Sequence, residues 1–123
     1  MAVTHFKTDA VAPEAFAPVA DRVLTGTPQG ETRNGYESAD GTRLVGEWSC
    51  CAGSWRVSYS EWEYCRILDG RVRLTADNGH VTEAGPGDNL VIEPGFEGVW
   101  ENLEMVRKIY VIDLAAGAEA EPE

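Results

Sequence analysis

An all-β sandwich or barrel is the fold this sequence predicts, and three observations carry the prediction. From residue 34 onward, short runs rich in Val, Ile, Tyr and Trp follow one another, separated by turn signals. No segment before the tail keeps a helical period. The Gly-Pro and Asp-Gly punctuation recurs at the short spacing of strands. The chain has 123 residues, the size of one domain, and can bury a core without covalent staples.

Residues 1–20 are rich in Ala and Pro, and Pro13 and Pro18 block a long helix. They read as an arm that packs over the domain or over a second subunit. "LTGTPQGETRNG" (24–35) reads as a loop by composition. Strands are expected over 34–38, 43–50, 54–60, 63–68, 71–76, 80–84, 89–92, 97–102 and 107–113. Asp69-Gly70 suits a two-residue hairpin, because both central residues of a type I′ turn need positive φ. Asp77-Asn78-Gly79 is a further turn, and "GPGD" (85–88) and "EPG" (93–95) break the chain again. The expected organisation is an arm over 1–21, a barrel over 22–114 and an acidic tail over 115–123.

Charge and cysteine content narrow the function classes. A net charge of −11 repels phosphate backbones, so nucleic acid is not an expected partner. No apolar run reaches the roughly 18 residues of a membrane span. The N-terminus lacks a basic segment followed by an apolar stretch, so it does not read as a secretory signal; the expected location is the cytoplasm, with no membrane partner. The three cysteines, Cys50, Cys51 and Cys65, are odd in number and form no Cys-x-x-Cys, which argues against a disulfide framework. Cys65 lies in a strand pattern and reads as a buried, inert thiol. No Ser-His-Asp set or Cys-His pair is visible. Gly85-Pro86-Gly87 lacks the Lys and the strand–loop–helix context of a phosphate loop.

Two segments carry a family resemblance. "WRVSYSEWEYCRILDG" (55–70) resembles the first cupin motif, anchored by Glu63 and Gly70; "GDNLVIEPGFEGVWEN" (87–102) resembles the second, anchored by Gly87, Gly95 and Asn102. A tighter resemblance runs from about residue 22 to 113, to the small cupins named after the ureidoglycine aminohydrolase cupin domain, the DUF861 family. Its marks are "VLTGTP" (23–28), Trp48 after Gly46, the Arg56 strand, Glu63, Asp69-Gly70, the Gly-Pro-Gly-Asp run, Trp100 and Arg107-Lys108-x-Tyr110. The resemblance implies an RmlC-like jelly-roll barrel (double-stranded β-helix) of two antiparallel sheets. It also implies a homodimer and a pocket between the sheets where a metal sits on side chains from both motifs.

At the metal positions the donors change. The two His positions of the first motif fall on Val57 and Tyr59, and its Glu position on Glu63; the His position of the second falls on Gly98. The aminohydrolase members hold manganese with a Glu, two His and a Gln, and Glu63 stands where one of those His residues would be. Val and Gly side chains cannot bind a cation, and a phenol ligates only when ionised, which a pKa of about 10 disfavours. No metal and no other cofactor is therefore expected. His5 and His80 fall at no motif position and read as surface residues.

Strand alternation gives Val57, Tyr59 and Glu63 one inward phase, continued by Cys65 and Ile67. It puts Gly98, Trp100 and Asn102 on one face, and separates Lys108, Tyr110 and Ile112 from Arg107, Ile109 and Val111. The expected ligand pocket is Trp48, Val57, Tyr59, Glu63, Cys65, Gly98, Trp100 and Tyr110, an aromatic cleft with one carboxylate and one candidate cation. Gly98 is expected to leave space there. The aromatic residues read either as core packing or as ligand contacts. Glu63 reads either as a carboxylate paired with Arg56 or another base, or as an acid–base group with Tyr59 orienting a substrate. Glu61, two residues from both Tyr59 and Glu63, would replace one of them inside if the intervening turn reversed the phase. Arg107-Lys108 reads either as a solvated pair beside Glu101 or Glu104, or as a trap for a small carboxylate.

Two function classes follow. One is a metal-free module binding a small polar organic ligand. The other is a small-metabolite enzyme, aminohydrolase-like, isomerase or lyase, using Glu63 and Tyr59. A homodimer whose arm crosses to its mate is compatible with both.

Overall fold

The computed structural model describes residues 2–115. Within them eleven strands, where the sequence reading expects nine, form two antiparallel sheets, as the family resemblance implies: β1 (Glu14–Phe16), β2 (Val23–Gly26), β3 (Gly30–Glu37), β4 (Arg43–Cys50), β5 (Gly53–Ser58), β6 (Trp62–Asp69), β7 (Val72–Ala76), β8 (Val81–Ala84), β9 (Asn89–Ile92), β10 (Glu97–Asn102) and β11 (Val106–Asp113). The six-stranded sheet runs β1-β3-β4-β11-β6-β9 and the five-stranded sheet β2-β5-β10-β7-β8. Most consecutive strands therefore lie in opposite sheets, the mark of a jelly roll. No helix among the described residues is long and apolar enough to cross a membrane.

The core follows from period-two alternation. Gly46, Trp48 and Cys50 of β4, Glu63, Cys65 and Ile67 of β6, Gly98, Trp100 and Asn102 of β10, and Val106, Lys108 and Tyr110 of β11 are all buried. These four sets fill the space between the sheets, and two of their members are a carboxylate and an ammonium.

Three local readings of the sequence need correction. The expected loop over 24–35 holds β2 and most of β3. Gly30 and Gly35 mark close approach rather than turns: a Cβ on Gly30 would strike the Ser49 carbonyl of β4, and one on Gly35 the ring of Phe6. The expected hairpin at Asp69-Gly70 is a crossing between sheets, because β6 and β7 do not pair. Gly70 alone has positive φ there, at 83°, and a Cβ on it would collide with the Met105 carbonyl. Asp77-Asn78-Gly79 does close a hairpin, β7–β8, where the Gly79 N–H donates to the Ala76 carbonyl at 2.8 Å. Third, the arm contributes a strand, since β1 pairs with β3.

The arm lies on its own barrel. Thr8 Oγ1 donates to Glu47 Oε1 at 3.0 Å, Arg33 Nη1 donates to the Val11 carbonyl at 2.6 Å, and Phe16 packs edge-on to Trp48 with ring centroids 5.3 Å apart. All of the expected acidic tail except Ala115 lies outside the described residues.

Candidate functional site

A cleft of about 860 Å³ opens between the sheets. The six-stranded sheet supplies Trp48, Glu63, Lys108 and Tyr110, and the five-stranded sheet supplies Trp55, Val57 and Trp100. Phe16 of β1 closes one side, and Tyr59 and Glu61 come from the β5–β6 connection. Trp48 meets Trp100 edge to face at 5.9 Å, and the tilted ring of Trp55 at 6.3 Å; such aromatic pairs hold their partners in one geometry.

At the floor Lys108 Nζ donates to Glu63 Oε2 at 2.9 Å, with Lys108 6% and Glu63 3% exposed. The same ammonium lies 4.3 Å from the Trp100 ring centroid and 4.7 Å from that of Trp48. A carboxylate and two indole faces thus occupy three sides of one cation. Burial pushes the Lys108 pKa down, but the charges of Glu63, Cys65 and Glu61, together with the Glu63 hydrogen bond, more than offset it, so the ammonium sits above its ordinary value. An unpaired charge here would carry a desolvation cost of several kcal/mol, roughly, which is why the two residues occur together.

Hydrogen bonds fix the walls around this pair. Trp100 Nε1 donates to Asn102 Oδ1 at 2.8 Å, and Asn102 Nδ2 donates to the carbonyls of Cys50 and Cys51 at 3.3 and 3.1 Å. One buried amide therefore ties the Trp100 indole to the end of β4. Tyr110 donates to Asn34 Oδ1 at 2.6 Å, and burial, followed by the charges on Glu63 and Glu14, pushes its phenol up to about 12. Burial, followed by the Glu63 charge beside it, holds the Tyr59 phenol well above its ordinary value. The Tyr59 backbone is clamped as well: its N–H donates to the Phe96 carbonyl at 2.8 Å and its carbonyl accepts from Gly95 at 2.6 Å.

Of the residues expected in the pocket, Trp48, Val57, Tyr59, Glu63, Trp100 and Tyr110 line the cleft. Cys65 lies behind the lining at 0% exposure, and burial pushes its thiol up to about 11. Gly98 does not line it either, and opens no space: a Cβ there would run into the Thr75 carbonyl of β7, so this glycine serves the close approach of two strands. Glu61 lines the cleft together with Tyr59 and Glu63 rather than in place of one. Arg56 is not the partner of Glu63; its guanidinium forks onto Asp77 at 2.7 and 3.0 Å. Arg107 bridges Glu47 and Asp69, both at 2.8 Å, on the opposite face of β11 from Lys108, so the two basic neighbours are not one solvated pair.

Sequence reasoning missed Trp55 and Phe16 as lining residues. Trp55 shares the phase of Val57 and was legible by alternation. Phe16 sits in a segment whose Ala-Pro composition hid its strand.

A sequence model of the EutQ-like cupin domain matches residues 37–110. The chain belongs to this cupin family. Among solved structures, the cupin superposes on a DUF861-family protein of unknown function from Pseudomonas syringae pv. tomato with a TM-score of 0.75 and 23% identity, over 83% of this chain but 43% of that one. A predicted oxalate decarboxylase from Thermotoga maritima gives a TM-score of 0.70 at 18% identity, over 90% and 99% of the two chains. Ectoine synthase from P. lautus gives 0.65 at 16%, over 98% and 83%. No curated protein matches in sequence. These likenesses establish the fold, and their different names show why fold alone assigns no chemistry to this cupin.

The metal customary in cupins does not fit the residues present. Val57 and Gly98 carry no donor atom, the Tyr59 phenol is held protonated, and the Glu63 carboxylate is taken up by Lys108. Among the described residues no group of three His, Cys, Asp or Glu side chains converges. His5 and His80 are exposed.

Proposed function

We propose that this cupin binds a small polar organic ligand in its aromatic cleft, without a metal. The observation that carries this reading is the buried Lys108–Glu63 pair between Trp48 and Trp100: the one acid at a metal-ligand position already holds a cation, and the protein supplies it. Concave apolar walls with a few fixed polar groups are the usual composition of a small-molecule site. Native mass spectrometry of the purified protein, with tryptophan fluorescence titration of a metabolite panel, tests the reading. A bound organic mass that quenches Trp55 or Trp100 supports it; a cleft that takes up no compound overturns it.

A second reading is a small-metabolite enzyme, aminohydrolase-like, isomerase or lyase, with Glu63 as acid or base. Tyr59, Glu61 and Glu63 line one cleft, which favours it, because a phenol and two carboxyl groups on one cleft are candidate acids and bases. A Glu63→Gln variant that turns over a discovered substrate at the parent rate would refute it.

We propose also that two copies pair. The outer edges β8 and β9 expose Val81 and Val91, and such edges are ordinarily covered. A monomeric mass in light scattering would count against pairing.

A further inference from the structure

We propose that the cleft selects a compact organic cation, such as an ammonium or amidinium, over a neutral or anionic molecule of the same shape. The inference rests on the reading of the cleft as a ligand site and deepens it by assigning the charge.

Two of the three basic side chains that line the cleft are already committed. Lys108 is enclosed by Glu63 and two indole faces, so an incoming anion would have to displace a buried carboxylate to reach it. Arg56 holds Asp77 with both arms of its fork. Arg22 alone remains, an exposed residue at the rim that donates to the Arg56 carbonyl at 3.4 Å.

The carboxylates are in the opposite condition. Glu14, Glu37 and Glu61 line the same cleft, and among the described residues none of them makes an ion pair. Their field is felt inside: after burial, the charges of Glu63 and Glu61 push up the Tyr59 phenol, and those of Glu63 and Glu14 push up that of Tyr110. The walls suit the same charge. The Trp48 and Trp100 rings hold the Lys108 ammonium by their π faces, while among the described residues the rings of Phe16, Trp55 and Tyr59 line the cleft without such a partner. A net charge of −11 attracts cations to the surface before they reach the cleft.

The test is a charge series of one shape: choline, the neutral alcohol in which carbon replaces its nitrogen, and the carboxylate carrying the same tert-butyl group. Each is titrated into the full chain and followed by calorimetry and tryptophan fluorescence. Choline is expected to bind at least ~10-fold more tightly than the neutral alcohol, the margin of a cation–π contact with a nearby carboxylate. Glu61→Gln, at a partly exposed position, is expected to narrow that gap. If the alcohol or the carboxylate binds as tightly as choline, this inference falls and the cleft reading stands. If none of the three binds a protein that circular dichroism shows to be folded, this inference falls, and the metabolite panel decides the cleft reading.

Discussion

Lys108 Nζ lies 2.9 Å from Glu63 Oε2, and the two side chains come from paired strands of one sheet, 45 residues apart in the chain. The pair is the electrostatic centre of the cleft, and its removal has a defined cost. Lys108→Met leaves a buried carboxylate without a partner and is expected to destabilise the fold by about 3–5 kcal/mol. The double variant Lys108→Met with Glu63→Leu should recover most of that loss, because it removes both desolvated charges. Urea denaturation of the single and double variants measures the coupling.

The dependence on pH follows from raised values on Tyr59, Tyr110 and Lys108, and on the Cys50 and Cys65 thiols, which burial pushes up from 9.0 to about 11. In the unfolded chain Tyr titrates at 10.0 and Lys at 10.5; in the folded chain Tyr59, Tyr110 and Lys108 all titrate higher. The folded state therefore holds more protons than the unfolded state as the solution turns alkaline, and stability falls with rising pH. The contribution is complete below the unfolded values and is lost as pH rises through the folded ones, about 12 for Tyr110. Denaturation midpoints should stay level from neutral pH to about pH 9 and decline above it, and Tyr110→Phe should flatten the decline. A midpoint that rises over that range would contradict the account.

Asn102 accepts from the Trp100 indole and donates to two carbonyls. Asn102→Ala strands all three groups in the interior and should cost roughly 1–3 kcal/mol, or more if the losses add. Near-ultraviolet circular dichroism should change with it, since Trp100 loses the contact that fixes its ring.

Restoring histidine at the second-motif position should not restore a metal site. A side chain at residue 98 meets the β7 backbone at its first carbon, so Gly98→His is expected to destabilise by about 1–3 kcal/mol through overpacking. Thermal melting with and without added manganese or nickel measures both points. A variant as stable as the parent that also melts higher with metal would refute this reading of Gly98.

Much of this was legible in the sequence. Alternation along Glu63-Cys65-Ile67 and Lys108-Tyr110 places those residues on one phase without reference to any neighbour, and the turn residues separate the strands. What escaped was set by contacts distant in sequence. Gly30, Gly35 and Gly98 look like turn or space-making residues until the strand pressing on each is known. Asp69-Gly70 looks like a hairpin because local composition does not say in which sheet the next strand will pair. Lys108, next to Arg107, looks like half of a solvated pair; only its parity separates it from its neighbour, and nothing local names Glu63 as its partner.

The most direct test of the central claim is the metal content of the purified protein, by elemental analysis, together with its melting temperature before and after treatment with a chelator. A cleft whose cation is the Lys108 ammonium predicts manganese, iron, nickel and zinc far below one per chain and a melting temperature unmoved by the chelator. One tightly held metal per chain, whose removal lowers the melting temperature, would contradict it.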